Sequence, residues 1–136
     1  MVKAIMRDPL FLAQRSETAT EADRQVMIDL LDTLRANLDR CVGMAANMIG
    51  VRKRIIVFRD GPMQMVMVNP EIIGKTGEYE AEEGCLSLAG VRKAKRCRKI
   101  TVRYQDLMFR WHTGTFEGFT AQIIQHEVDH CDGILI

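Results

Sequence analysis

What this 136-residue chain lacks narrows its role early. No apolar run approaches membrane-spanning length, and Leu10-Phe11-Leu12-Ala13 is too short for the core of a signal peptide. The expectation is a cytoplasmic protein with no membrane partner. A formal net charge of +1 gives no overall field toward nucleic acid, so no specific DNA target is expected. The four cysteines, at 41, 85, 97 and 131, contain no Cys-x-x-Cys pair, which argues against a structural zinc knuckle. Without a secretion signal they are expected to be thiols or metal ligands rather than disulfides. Linkers, repeats and low-complexity tracts are also missing, and the length suits one core, so residues 1–136 are expected to form a single domain. Histidine occurs only three times.

Two of those three histidines stand four residues apart in Gln125-His126-Glu127-Val128-Asp129-His130. On a helix that spacing puts both imidazoles on one face, where they can share one metal ion. The glutamate beside the first can then handle protons on a metal-activated water. Apolar Ile123, Ile124 and Val128 crowd the same segment, and polar groups in so apolar a helix need partners. Two histidines and a water leave room for a third protein ligand. The strongest candidate is Cys85 in Glu82-Glu83-Gly84-Cys85-Leu86-Ser87, where Gly84 permits close backbone approach.

The remaining pattern is mixed. Thr20 and Asp23 resemble a capping box that opens a helix to about Asp39, with Met27, Leu30, Leu31, Leu34 and Leu38 as its apolar stripe. Cys41 to Gly50 reads as a tight, buried connection. Arg54 to Phe58 and Met65 to Asn69 read as strands joined by a turn at Asp60-Gly61-Pro62, and Lys99 to Tyr104 with Met108 to His112 as another pair. Thr120 is the expected N-cap of the histidine helix, Gly133 its C-terminal cap, and Ile134 to Ile136 a last short strand. The fold class expected is α+β, with antiparallel strands packed around a central metal-binding helix. Met63, Met65 and Met67 alternate as a soft copper site would, but without a nearby histidine they read as core or pocket wall. His112 reads as structural. The basic run at 92–99 reads as a solvated strand start, or as a contact for an anionic partner such as ribosomal RNA.

Glu83-Gly84-Cys85-Leu86-Ser87 followed by His126-Glu127-Val128-Asp129-His130 resembles the second and third motifs of the peptide deformylases. Cys41-Val42-Gly43-Met44-Ala45-Ala46-Asn47-Met48 is similar to their first. The resemblance implies removal of the formyl group from the N-terminal methionine of newly made proteins. It implies Cys85, His126 and His130 as ligands of one divalent metal, Fe(II) in the cell, with nickel, cobalt or zinc able to replace it. Glu127 then serves as general acid and base, and the Leu86 backbone N–H as a donor to the oxyanion. Val42, Gly43 and Gly84 would bind the substrate backbone, while Phe119, Gln122 and Ile123 would wall the methionine pocket. Formylated nascent peptides are the implied partners, with the ribosome reached through 92–99.

This sequence departs from the family pattern in places. Met48 stands where the family has a glutamine that donates to the oxyanion, and a thioether cannot donate. Cys41 replaces the first motif glycine, and Arg96 falls about one residue short of the family arginine paired with the acid at Glu83. Three classes therefore remain: a deformylase, slowed by Met48; a deformylase-like metal protein that binds peptide N-termini with little turnover; and a general zinc protease.

Overall fold

The expected bond between Thr20 and Asp23 is present in the computed structural model, which describes residues 1–136: Thr20 N–H donates to Asp23 Oδ2 at 2.9 Å. A single 3-10 turn, Glu21–Asp23, leads into helix α2 (Arg24–Ala36), which follows a four-residue helix α1 (Pro9–Leu12). Met27, Leu30 and Leu34 of α2 are buried, whereas Leu31 and Leu38 are only half-buried. The helix ends at Ala36, before the expected Asp39. There the Asn37 side-chain amide donates to Thr33 O at 2.7 Å and takes a carbonyl that a further turn would use.

Five strands form one antiparallel sheet in sequence order: β1 (Gly43–Ala45), β2 (Ile55–Asp60), β3 (Met63–Gly84), β4 (Val91–Gln105) and β5 (Trp111–Glu117). Strand β2 is buried on both faces and divides the core. Ile56 and Phe58 pack with Ile123, Ile124 and Val128 of helix α3 (Gly118–Cys131), while Ile55 and Val57 pack with Met27, Leu30 and Leu34. Alternate residues of one strand thus hold the two helices on opposite faces.

Several expectations need correction. The β3–β4 hairpin is far longer than Met65 to Asn69 and Lys99 to Tyr104: backbone pairing runs on to Gly84 and Val91, through a polar outer half lined by cross-strand charge pairs. Glu80 meets Lys93 at 3.8 Å and Glu78 meets Lys95 at 3.9 Å. β5 begins at Trp111, not Met108. Asp106 Oδ1 accepts from Met108 N–H (2.8 Å) and Arg110 N–H (3.1 Å), which turns the chain before the strand can start. His112 sits on β5 with Nε2 2.6 Å from Asp106 Oδ2, in keeping with a structural role. α3 starts at Gly118 with Glu117 as N-cap, so Thr120 lies inside the first turn. Ile134 to Ile136 form no strand. Met63 is exposed and Met67 buried in the α3 core, which separates two members of the methionine series. No helix is long and apolar enough to cross a membrane.

Candidate active site

His126 and His130 sit one turn apart on α3, with their Nε2 atoms 3.1 Å apart. The turn that follows β3 brings Cys85 Sγ to 3.3 Å from His130 Nε2. The three potential ligand atoms lie within 4.8 Å of one another. His126 Nδ1 is 2.9 Å from Glu83 Oε1, which leaves Nε2 for the shared centre. Glu83 in turn receives two bonds from Arg96, Nε at 2.9 Å and Nη2 at 2.7 Å, and Arg96 Nη1 reaches Asp129 Oδ2 at 2.6 Å. The one-residue shortfall at Arg96 therefore does not prevent the pairing: the guanidinium grips both β3 and α3.

Electrostatics show why a cation fits here. Burial lowers the pKa of both imidazoles. Bonds to Cys85 and Glu83 outweigh it at His126 and push that group up to about 10. Burial and the neighbouring His126 drive His130 down to about 3. The cluster thus gathers positive charge between a thiol, two imidazoles and a carboxylate. A divalent ion meets the same demand with all three donors. Glu83 is held down to about 2: its burial acts upward, but the bonds from His126 and Arg96 prevail. Glu127 is fully enclosed, and burial pushes it up to about 7 against the pull of His126. Its Oε1 has no partner within the protein.

A cavity of about 690 Å³ opens beside this cluster. Its walls bring together Val42, Gly43, Gly84, Cys85, Leu86, Phe119, Gln122, Ile123, His126 and Glu127, drawn from β1, the end of β3 and α3. Gly43 lies against α3 so closely that a Cβ there would fall 2.7 Å from Ile123 Cγ2 and 2.9 Å from Glu127 Oε2. Only glycine permits that approach. Val42 O is committed to β2, accepting from Arg59 N–H at 2.8 Å. By the alternation of an antiparallel pair, the backbone groups of Gly43 then face the free edge of the sheet. The Cys41 thiol donates to Gly43 O at 2.9 Å, and burial holds that thiol's pKa up at about 12.

Two expected residues lie behind the walls. His130 contributes its ring from beneath, and Met48 is buried among Leu30, Leu34 and Val57, its Sδ accepting from Ala45 N–H at 3.5 Å. Other contributors escaped the sequence reading. Arg7 donates to Leu86 O at 2.7 Å from the N-terminal segment, and no local pattern announced it. Asn47 Nδ2 donates to His130 O at 3.0 Å, and its amide in an apolar stretch was the available signal. Gln125 donates to Cys97 O and accepts from Cys97 N–H, each at 2.9 Å, fastening α3 to β4. The basic run at 92–99 is largely answered by acids, with Lys99 also 3.7 Å from Glu117.

A Cys/His/His donor set beside a buried glutamate, on a helix that also walls a cavity, is the equipment of a mononuclear metallohydrolase. The sequence pattern of the polypeptide deformylase family matches residues 3–136, and the chain belongs to that family. It is 57% identical over 136 residues to a peptide deformylase of Clostridium beijerinckii, covering 100% of both chains. It is 41% identical over 120 residues to peptide deformylase 2 of Clostridium acetobutylicum, covering 88% of this chain and 79% of that one. Among solved structures, the peptide deformylase of Thermotoga maritima superposes with a TM-score of 0.89 at 30% identity, covering 99% of this chain and 95% of that one. The enzyme from the Vibrio parahaemolyticus bacteriophage VP16T gives a TM-score of 0.88 at 32% identity, covering 98% and 99%.

Proposed function

We propose that residues 1–136 work as one unit, a cytoplasmic, metal-dependent hydrolase that removes the formyl group from the N-terminal methionine of newly made proteins. The observation that carries this reading is the convergence of Cys85, His126 and His130 beside Glu127 on the wall of one cavity. These three ligands would hold a divalent ion, which supplies Lewis acidity to water and to the formyl oxygen. A thiolate with two imidazoles suits iron, cobalt, nickel and zinc alike, and Fe(II) is the assignment that follows from the family pattern.

The chain's own groups do the rest. Gly43 offers outward-facing backbone groups on the free edge of β1, where an extended substrate can pair as an added strand. The substrate first displaces the Cys41 thiol from Gly43 O. Val42 and Gly84 flank that edge, and Phe119, Gln122 and Ile123 receive the first side chain. Glu127 takes a proton from the attacking water as the oxygen adds to the formyl carbon. It then passes the proton to the amine nitrogen as the C–N bond breaks, releasing formate and a free N-terminus. A buried carboxyl pushed up to about 7 can both accept and release a proton near neutral pH, which suits both halves of that task. Leu86 N–H, free of any bond within the protein, donates to the developing oxyanion, with Arg7 holding the Leu86 carbonyl. Met48 contributes no donor, so the slow-turnover reading rests on this residue.

Contact with the ribosome through 92–99 would fall first to Arg92 and Arg98, since Lys93, Lys95, Arg96 and Lys99 already meet acids. The test of the main reading is formate release from formyl-Met peptides by iron- or nickel-loaded protein, with casein cleavage as the control for a general protease. Casein cleavage without formate release would overturn it.

A further inference from the structure

Along α3, Phe119, Gln122, Ile123 and His126 follow one another at helical spacing, and all four line the cavity. His126 belongs to the metal cluster, so Gln122 lies about one turn from the centre, roughly 5–6 Å between Cβ atoms. A first side chain whose formyl group sits at the centre therefore ends near this amide. The Tyr79 hydroxyl on β3 donates to Gln122 Oε1 at 3.0 Å, the one hydrogen bond the amide makes within the protein. A carboxamide has one acceptor oxygen and two N–H donors. With the oxygen engaged, what remains for a ligand is a donor. Tyr79 is itself held in place: the Arg98 guanidinium lies 4.7 Å from its ring centroid. Burial and nearby Glu83 raise its pKa and keep the hydroxyl protonated.

We propose that Gln122, oriented by Tyr79, places a hydrogen-bond donor in the first-side-chain pocket, so that this chain selects formyl peptides whose first residue carries an acceptor there: methionine over norleucine, and methionine sulfoxide as a further substrate. The inference rests on the deformylase reading above and deepens it. A thioether sulfur is a weak acceptor, a sulfoxide oxygen a strong one, and a methylene none at all. An all-apolar side chain leaves the amide donors unpaired once water is displaced, a penalty that makes a site discriminate. Tyr79 acts as a positioning residue, since it touches the amide and not the substrate.

The experiment compares kcat/KM for three formyl tripeptides that begin with methionine, methionine sulfoxide or norleucine, using metal-loaded wild type, Gln122→Leu and Tyr79→Phe. The wild type is expected to favour methionine over norleucine by about two- to tenfold, the worth of one modest hydrogen bond, and to turn over the sulfoxide peptide. Gln122→Leu should erase or reverse that order, with the sulfoxide peptide losing most. Tyr79→Phe should fall between, because the freed amide can rotate. A change in the substrate ratio separates this from general loosening, which would slow all three equally. Calorimetric binding of the deformylated products Met-Ala-Ser, its sulfoxide and the norleucine analogue reads the same preference without turnover. If formate release fails but that binding order holds, the pocket assignment stands and the deformylase reading falls. One substrate and product order shared by wild type and both variants overturns the inference.

Discussion

Helices α2 and α3 lie on opposite faces of one sheet and differ in where their buried polar groups find partners. α2 turns an apolar stripe inward, and its buried polar groups are met by its own backbone and by the N-terminal segment: Thr33 Oγ1 donates to Asp29 O and Asn37 Nδ2 to Thr33 O, each at 2.7 Å, while Asp29 Oδ1 accepts from the Met1 ammonium (3.0 Å) and Thr33 Oγ1 from Lys3 N–H (2.9 Å). α3 buries nine of its residues, four of them Gln125, His126, Glu127 and His130. Its polar side chains reach the long strands of the sheet. Gln125 bonds to β4, His126 to Glu83 at the end of β3, and Asp129 to Arg96. A helix whose polar groups are met by its own backbone and a terminal segment can serve packing alone. One whose polar groups bond to the strands of the sheet is held in a fixed position, which a metal site requires.

The largest effect that sharpens this contrast belongs to Cys85→Ala. It should lose bound metal and formate release together. Chelation should lower the Tm of the wild type, where an ion at a hundred times its Kd adds about 2.7 kcal/mol, and leave the variant's Tm unmoved. Glu127→Ala comes next. Metal content should stay at one ion while kcat falls by about 10²–10⁴, because the residue moves protons and ligates nothing. Near-normal turnover would remove Glu127 from the mechanism.

On the other helix, Leu30→Ala should cost about 2–5 kcal/mol in urea unfolding and leave metal content unchanged in the folded protein. Gln125→Leu should cost less, about 1–3 kcal/mol for the unpaired Cys97 backbone groups, yet weaken metal retention. If Leu30→Ala released metal and Gln125→Leu did not, the division of labour between the helices would be broken. The smallest effect expected is a gain. In Met48→Gln, Oε1 can take over the bond from Ala45 N–H while Nε2 supplies the absent donor, raising kcat by about tenfold with KM unchanged. A fall in both kcat and Tm would instead mark a buried amide without a partner.

The same contrast explains what could be read from sequence. Met27, Leu30 and Leu34 announce α2 by periodicity, and the i, i+4 histidines with Glu127 announce the chemistry of α3. Cys85 came through its motif and Gly43 through the first motif, although its close approach to Glu127 is visible only in three dimensions. The partners that orient the site were less legible, because they are distant in sequence. Arg7 lies 79 residues from Leu86, and Tyr79 lies 43 from Gln122. The outer half of the β3–β4 hairpin was missed for a different reason. Its alternating charges look like a solvated loop until the two strands are set side by side.

That hairpin has a consequence beyond the catalytic site. β2 pairs with β3 only from Met63 to Val68, so no strand covers the opposite edge of β3 from Glu71 to Gly84. A long open edge invites a second chain to add to it, the usual first step toward aggregation. Here the edge strand carries exposed Glu78, Glu80 and Glu82, while the complementary lysines sit on β4. Two copies meeting edge to edge would set acid against acid, whereas the strand's own partner sets base against acid. The charge ladder along the hairpin therefore also disfavours edge-to-edge addition of a second copy.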